Sequence, residues 1–297
     1  MSVSLAVIPV AGRGTRLLPL TKSQPKEMLP VARKPVVQYV VEELSRCGLR
    51  RMLFVTGPGK AAIENHFDVD AELIAQLRES GKEDLLEELA FERDDVEYLY
   101  TRQRRQLGLG HAVLCARAVA GNEPFVVALG DSIVGLHAQS QIVGRLIEAF
   151  TAERADAVIA FESVPPADVV QYGIAQPRGA AEGVFALDDV VEKPEVDEAP
   201  SNLAVAARYV FSPAIFECLA ETEPGKNGEI QLTDAIRLLI RRGGKALGVC
   251  LAPGEQRFDI GNFESYFLAF TAFALSDPAC GPGLREELTK LLAAWAR

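Results

Sequence analysis

The chain has 297 residues, 48% of them hydrophobic, and a formal net charge of −10. That is apolar material for one large domain or two small ones, and the acidic balance argues against a nucleic-acid partner, because phosphate backbones demand a basic footprint. Residues 1–9 lack the basic start and cleavage site of a secretory leader, and no apolar run approaches the roughly 20 residues of a bilayer span. Five dispersed cysteines, with no CxxC pair and no clustered histidines, argue against a disulfide framework or a zinc site. The expectation is a cytoplasmic protein with buried, reduced thiols and no membrane partner.

The charge is uneven. Residues 1–34 hold Arg13, Arg16, Lys22, Lys26, Arg33 and Lys34 against the single acid Glu27. A basic opening on an acidic protein suits a small anionic ligand held near the N-terminus, or a solvated basic loop.

Residues 5–10 form a short apolar run that ends in Ala11-Gly12-Arg13-Gly14, which reads as a buried strand entering a glycine turn. Lys34-Pro35 then opens a helix whose apolar face is Val37, Val40, Val41, Leu44 and Cys47, with Gly48 at its stop. Residues 52–56 are the next strand, completing the strand–helix–strand rhythm of a parallel sheet. Helical spacing returns at 61–67 and across the charged stretch 70–93. Strands follow near 96–101, 125–129 and 158–161, with helices near 111–118 and 139–152 between them. Beyond Pro165 the pattern is strand-rich, at 172–176, 184–191 and 204–211. Helices close the chain at 231–242, 263–275 and 284–297. There is no internal repeat and no linker that forces a domain cut, so the reading is an α/β domain over 1–262 with a mixed, mainly parallel sheet, and a helical appendage over 263–297 within the same unit. The aromatic residues Phe263, Phe267, Phe270 and Phe273 of that appendage either complete the core or build a subunit interface.

The glycine turn sits where open α/β sheets place their ligands. Position 17 is Leu17 where a dinucleotide fingerprint requires its third glycine, and no Gly-Lys-Ser/Thr tripeptide supplies a P-loop. What remains is G-x-G-T-R-L-x-P-x-T, followed by Lys26 and Pro30. Glycine lets main-chain N–H groups face phosphate oxygens. Arg16 adds a planar fork of donors and Lys26 a compact charge, the pair a triphosphate with a departing pyrophosphate needs.

This run, in register from Gly12 to Pro30, resembles the signature of the sugar-phosphate nucleotidyltransferases. Further blocks extend the likeness over most of the chain: IENHFD, GLGHAVLCA, VVEKP, RYVFS, EIQLTDAI and F-D-I-G-N. The forms around Pro25–Pro30 and Gly108–Val113 are similar to the uridylyl branch rather than the thymidylyl one, although Leu107 stands where that branch commonly has lysine. The resemblance implies a Rossmann-like fold, Mg²⁺ as cofactor, UTP and glucose 1-phosphate as substrates, and a homodimer or homotetramer. It places the base against Ala11 and Gly12, with Glu27, Gln103 and Gly108 nearby, and the phosphates on Gly14, Thr15, Arg16 and Lys26. Asp131, at the end of the 125–129 strand, is the expected metal carboxylate and Asp259 its companion, each alternatively a cap of a neighbouring turn or helix. Glu192 would accept hydrogen bonds from the sugar hydroxyls, Lys193 would contact the sugar phosphate, and Gly173 would let the sugar approach the main chain. The implied reaction is in-line attack of the sugar phosphate on the α-phosphorus, with Arg16, Lys26 and Lys193 neutralising charge. Thymidylyl transfer, a nucleotide-sugar-dependent glycosyltransferase and a non-catalytic nucleotide sensor remain alternatives; Asp131-Ser132-Ile133 lacks the paired D-x-D of many glycosyltransferases.

Overall fold

The computed structural model describes residues 3–93, 95–225 and 228–295. In the first half, β1 (Leu5–Pro9) leads through three short 3₁₀ turns to the two-residue strands β2 (Pro30–Val31) and β3 (Lys34–Pro35). Helix α1 (Val36–Arg46), β4 (Arg51–Thr56), α2 (Ala61–Phe67), α3 (Ala71–Glu79) and β5 (Glu97–Arg102) come next. They are followed by α4 (Leu109–Leu114), α5 (Arg117–Ala120), β6 (Phe125–Ala128), β7 (Ser132–Val134) and α6 (Ile142–Glu153). The second half holds β8 (Ala157–Ser163), β9 (Gly173–Pro177), β10 (Val184–Glu192), β11 (Leu203–Phe211), α7 (Ile215–Glu221) and α8 (Leu232–Arg241). It ends with β12 (Ala246–Cys250), β13 (Arg257–Asp259), α9 (Phe263–Ser276) and α10 (Gly281–Trp295).

Among the described residues the strands form a nine-stranded sheet in the order β5-β4-β1-β6-β11-β8-β12-β10-β9. The β5-β4-β1-β6 half is parallel, built by crossovers over α1 to α5. Beyond it β11 runs antiparallel to both β6 and β8, and β10 antiparallel to β12 and β9. The chain is thus α/β with a mixed sheet, covered by helices on both faces. One core cluster contains Val7, Phe125, Phe211 and Leu232, the other Ile8, Val40, Phe54 and Val126. Alternate residues of β1 and β6 feed opposite clusters, as the two-residue period of a strand requires.

Several boundaries differ from the periodicity. Pro35 lies in β3 and precedes α1 instead of beginning it. The expected helix at 111–118 is two short helices, α4 and α5, broken near Cys115. The 70–93 stretch is α3 followed by a 3₁₀ segment, Glu83–Arg93. The strands β7, β12 and β13 and the helix α7 had no distinct signal. The expected helix at 284–297 starts earlier, at Gly281, and its last two residues lie outside the described residues. Cys218 is buried, Cys47, Cys115 and Cys250 are half-buried, and Cys280, against expectation, is exposed; all five are free thiols.

Two features bring the strand ends together. β7 pairs antiparallel with β13, matching Ser132 with Asp259, so segments far apart in sequence form one short ribbon. Behind that ribbon Arg208 is fully buried. It donates through Nε and Nη2 to Glu43 of α1, at 2.6 Å in the shortest contact, and through Nη2 to the Ser132 carbonyl at 2.8 Å. The guanidinium therefore ties α1, β11 and the start of β7 at one point, using its planar set of donors. Helix α9 closes the same region, with Phe273 packed among Tyr39, Leu17, Leu29 and Ile133. Its N-cap is Asn262, which accepts from the Ser265 amide at 3.0 Å.

Removing only one side of the buried pair leaves an uncompensated charge. Arg208→Met is expected to cost about 3–5 kcal/mol in urea unfolding, and Arg208→Met with Glu43→Leu to recover most of that loss. Equal stabilities for Arg208→Met and the double variant would contradict this.

Candidate active site

The 10–29 segment can wrap over the C-terminal end of β1 because Gly14 takes a left-handed backbone, φ 64°. A side chain there would meet Thr21 and Lys26, the built Cβ lying 3.1 Å from Thr21 Cγ2. The Thr21 hydroxyl donates to the Gly14 carbonyl at 2.7 Å, and Leu17 and Leu29 are buried beneath the loop. Anchored this way, the segment forms the rim of a cleft of about 650 Å³ at the C-terminal ends of β1 and β6.

Lys26 reaches across that cleft to Asp131 and forms an ion pair with it. Burial pushes the Lys26 ammonium down, but the Asp131 and Glu27 carboxylates outweigh it and raise its pKa. Burial pushes Asp131 up, and Lys26 overcomes this to hold its carboxyl below the usual range. Asp259 moves the other way: burial first, and the charge of Asp131 second, raise its pKa. The Ile260 amide donates to the Asp131 carbonyl at 3.0 Å, so the β7–β13 ribbon holds the two aspartates as neighbours. Asp259 is not the cap of α9, a role taken by Asn262. Arg16 is exposed at the mouth, within electrostatic reach of Asp259.

Glu27 lies on the cavity wall, but its carboxylate is 1% exposed and paired with Lys60 at 2.7 Å. Lys60 thus explains why an acid is tolerated beside Lys26: a buried carboxylate must find a cation. Burial nonetheless raises the Glu27 pKa despite Lys60 and Lys26. Gln103 is buried, and its amide nitrogen donates to the Gly108 carbonyl at 3.0 Å and to His111 Nδ1 at 3.0 Å. Gln106, not anticipated, links the two loops on this side. Its amide donates to the Ala11 carbonyl at 2.6 Å and its oxygen accepts from Arg13 Nε at 2.8 Å.

The opposite wall is built on β9, β10 and α8. Gly173 of β9 pairs with Glu192 at the end of β10. Lys193 follows with a left-handed φ of 47°, and its amide donates to the Tyr172 carbonyl at 2.9 Å. A non-glycine residue in that conformation is strained by about 1–3 kcal/mol, a cost met where function fixes the backbone. Lys193 Nζ stands 3.5 Å from Glu192 Oε1, and the Thr233 hydroxyl donates to Glu192 Oε2 at 2.7 Å. Ala11, Gly12, Gly14, Thr15, Arg16, Lys26, Glu27, Gln103, Gly108, Asp131, Glu192 and Lys193 line one cavity. Gly173 and Asp259 are not among the residues that line it, although Gly173 pairs with Glu192 and Asp259 with Ser132, next to Asp131. Thr233, Gln106, Lys60 and Arg208 were missed; the motif blocks contained two of them, but nothing local marks a hydroxyl or guanidinium as reaching a distant carboxylate.

Gly108 generates a test of the wall. Its φ is 99°, and a Cβ there would lie 2.8 Å from the Ile230 carbonyl oxygen. Gly108→Ala is expected to destabilise by about 2 kcal/mol or more and to weaken nucleotide binding in parallel. A variant with unchanged melting temperature and nucleotide affinity would contradict this.

The chain has counterparts among known proteins. The family model described as Nucleotidyl transferase matches residues 5–275. The UTP–glucose-1-phosphate uridylyltransferase YngB of Bacillus subtilis is 44% identical over 276 residues, 93% of this chain and 91% of that protein. The structure of a UTP-bound UGPase from Acinetobacter baumannii aligns with a TM-score of 0.88 and 38% identity, covering 98% of this chain and 100% of the other. A UDP-glucose pyrophosphorylase complexed with UDP-glucose aligns with a TM-score of 0.82 and 37% identity, covering 92% of this chain and 98% of that one.

Proposed function

The chain belongs to the nucleotidyl transferase family, and from that premise we propose that it is a UTP–glucose-1-phosphate uridylyltransferase, forming UDP-glucose and pyrophosphate. The observation that carries the reading is the convergence of the glycine loop, Lys26, Asp131, Glu192 and Lys193 on one cleft. A loop of main-chain amides at one end suits a triphosphate, and a carboxylate beside a lysine at the other suits a phosphorylated sugar.

In this reading Gly12–Arg16 hold the β- and γ-phosphates, and Lys26 lies against the α-phosphate. Lys193 binds the sugar phosphate and turns its oxygen toward the α-phosphorus. A phosphate monoester is already ionised near neutral pH, so the reaction needs no general base. The three histidines have other partners: His66 contacts Gln38, His111 Gln103 and His137 Ser276. What the residues supply is alignment and charge neutralisation as negative charge builds on the departing pyrophosphate. The base would lie against Ala11, Gly12 and Gly108, with Gln103 setting the shape of that wall.

Asp131 and Asp259 fit a divalent cation, Mg²⁺ in our reading. Two neighbouring carboxylates with opposed pKa displacements repel each other, which a cation relieves, and Mg²⁺ requires only one or two protein oxygens. Among the described residues no cluster of three or more potential ligands occurs, consistent with a metal completed by phosphate. Bound there, it would supply Lewis-acid stabilisation of phosphoryl charge.

The exposed apolar stripe of α9 and α10, with Leu268 66%, Leu292 63% and Trp295 80% exposed, is proposed as the contact between copies. The alternatives fit less well: the chain is strongly acidic, and no described helix is long and apolar enough to cross a membrane. Leu268→Glu with Trp295→Glu should yield a monomer by sedimentation; an unchanged mass would remove the proposal. The free thiols suit a cytoplasmic setting.

The activity is tested by four nucleoside triphosphates against several sugar 1-phosphates, reading pyrophosphate release with and without Mg²⁺. UTP with glucose 1-phosphate should be fastest and chelation should abolish it. A preference for dTTP, or sugar transfer from UDP-glucose with no pyrophosphate formed, would overturn the assignment. Lys26→Ala should depress turnover at saturating substrates by about tenfold or more; near-normal turnover would remove Lys26 from the machinery.

A further inference from the structure

Glu192 can bind a sugar only if its carboxylate keeps one orientation, and its own bonds do not ensure this. The terminal torsion of a glutamate is broad and roughly two-fold, so an unanchored carboxylate would present either oxygen in many directions. The surrounding structure removes that freedom. Oε2 accepts the Thr233 hydroxyl at 2.7 Å, and Oε1 lies toward Lys193 Nζ at 3.5 Å. Thr233 sits in the first turn of α8 and is 9% exposed. A threonine hydroxyl in a helix commonly turns back to the carbonyl four residues earlier. Thr233 is the second residue of α8, so the carbonyl four residues back lies before the Gln231 cap and outside the helix, and the hydroxyl points to Glu192.

The helix is placed for this by a second contact one turn on. Arg237 binds Asp189 of β10 with two donors, at 2.9 and 3.1 Å. Residues 233 and 237 lie on one face of α8, and 189 and 192 are near the end of β10, so the Arg237–Asp189 fork sets the register in which Thr233 meets Glu192. Gly173 completes the convergence: a Cβ there would stand 3.2 Å from Thr233 Oγ1 and 3.4 Å from Glu192 Oε2. Tyr209 packs beneath, near enough that the Glu192 charge adds to burial in raising its pKa.

We infer that Thr233 is a specificity-determining positioning residue, whose hydroxyl fixes Glu192 so that Oε1 addresses the hydroxyls of the sugar phosphate. The inference rests on the proposed sugar-binding role of Glu192. Vicinal hydroxyls of epimeric sugars differ only in direction, so discrimination between them depends on an acceptor of fixed direction. The Thr233 hydroxyl bonds to Glu192, on the wall opposite the glycine loop, and its loss should leave nucleotide binding intact.

The test compares Thr233→Val, which keeps the shape and removes the hydroxyl, with Thr233→Ser, which keeps the hydroxyl. For Thr233→Val the KM for the preferred sugar 1-phosphate is expected to rise about tenfold, the scale of one lost hydrogen bond to a charged group, with KM for UTP unchanged and kcat little affected. Discrimination against the 4-epimeric sugar 1-phosphate should fall in the same variant, and Thr233→Ser should restore both. Melting temperatures are measured alongside, and Thr233→Ala carries the same comparison should the valine variant fail to fold. Wild-type sugar KM and epimer discrimination in folded Thr233→Val or Thr233→Ala would overturn the inference, as would a loss in kcat and in both KM values that serine does not rescue. The proposed function fails separately, if the unmodified protein accepts no sugar 1-phosphate at all.

Discussion

Lys26 and Asp131 are 105 residues apart in the chain and meet in a place where either charge alone would be costly. Each offsets the desolvation of the other, and each is further constrained by a neighbour: Glu27 on the lysine side, Asp259 on the aspartate side. Lys60 then balances Glu27. The result is a chain of charges beside the cleft that alternates from Lys60 through Glu27 and Lys26 to Asp131 and ends on a like-charged neighbour, Asp259. Such an array is stable only while each member keeps its partner. Its members are largely withdrawn from water, so the charges of the cleft are oriented by one another rather than by solvent.

That charge array depends on how the sheet ends. β1 and β6 run parallel and deliver the glycine loop and Asp131 to the same edge. The antiparallel return of β11 places Arg208 behind them, and Arg208 grips the carbonyl of Ser132 immediately after Asp131. The β7–β13 ribbon adds Asp259 from near the end of the domain. Antiparallel β9 and β10 carry the second wall, so the parallel half of the sheet presents the glycine loop and the antiparallel half presents Glu192 and Lys193. Helix α9, through Phe273 and Tyr266, braces the region from outside.

Much of this was legible along the chain. The run from Gly12 to Pro30 could be read because its constraints are local: a glycine where φ is positive, a buried Leu17, a lysine at fixed spacing. Asp131 was legible as a carboxylate ending an apolar strand. The longer strands other than β12, and α1, α6, α8 and α9, announced themselves through periodicity, with ends shifted by a few residues. The two- and three-residue strands β2, β3, β7 and β13 did not, since so short a segment has no period to detect. The role of Arg208 was hidden as well: within a strand it reads as an exposed charge, and only its placement opposite Glu43 makes burial possible.

The sequence by itself determined the kind of chemistry through a family resemblance, carried by the run in register from Gly12 to Pro30 and by the further blocks along the chain. It also determined the alternation of helix and strand from which an α/β sheet follows. Only the tertiary structure decided which charges face which: that Glu27 turns to Lys60, that Gln103 is held by His111 and Gly108, that Asp259 stands beside Asp131 and not at the head of α9, and that Thr233 holds Glu192. Those pairings, together with that of Arg208 and Glu43, join residues between 5 and 165 positions apart. Hydrogen bonds and ion pairs act over a few ångströms of space, and distance along the chain carries no record of them until the sheet is closed.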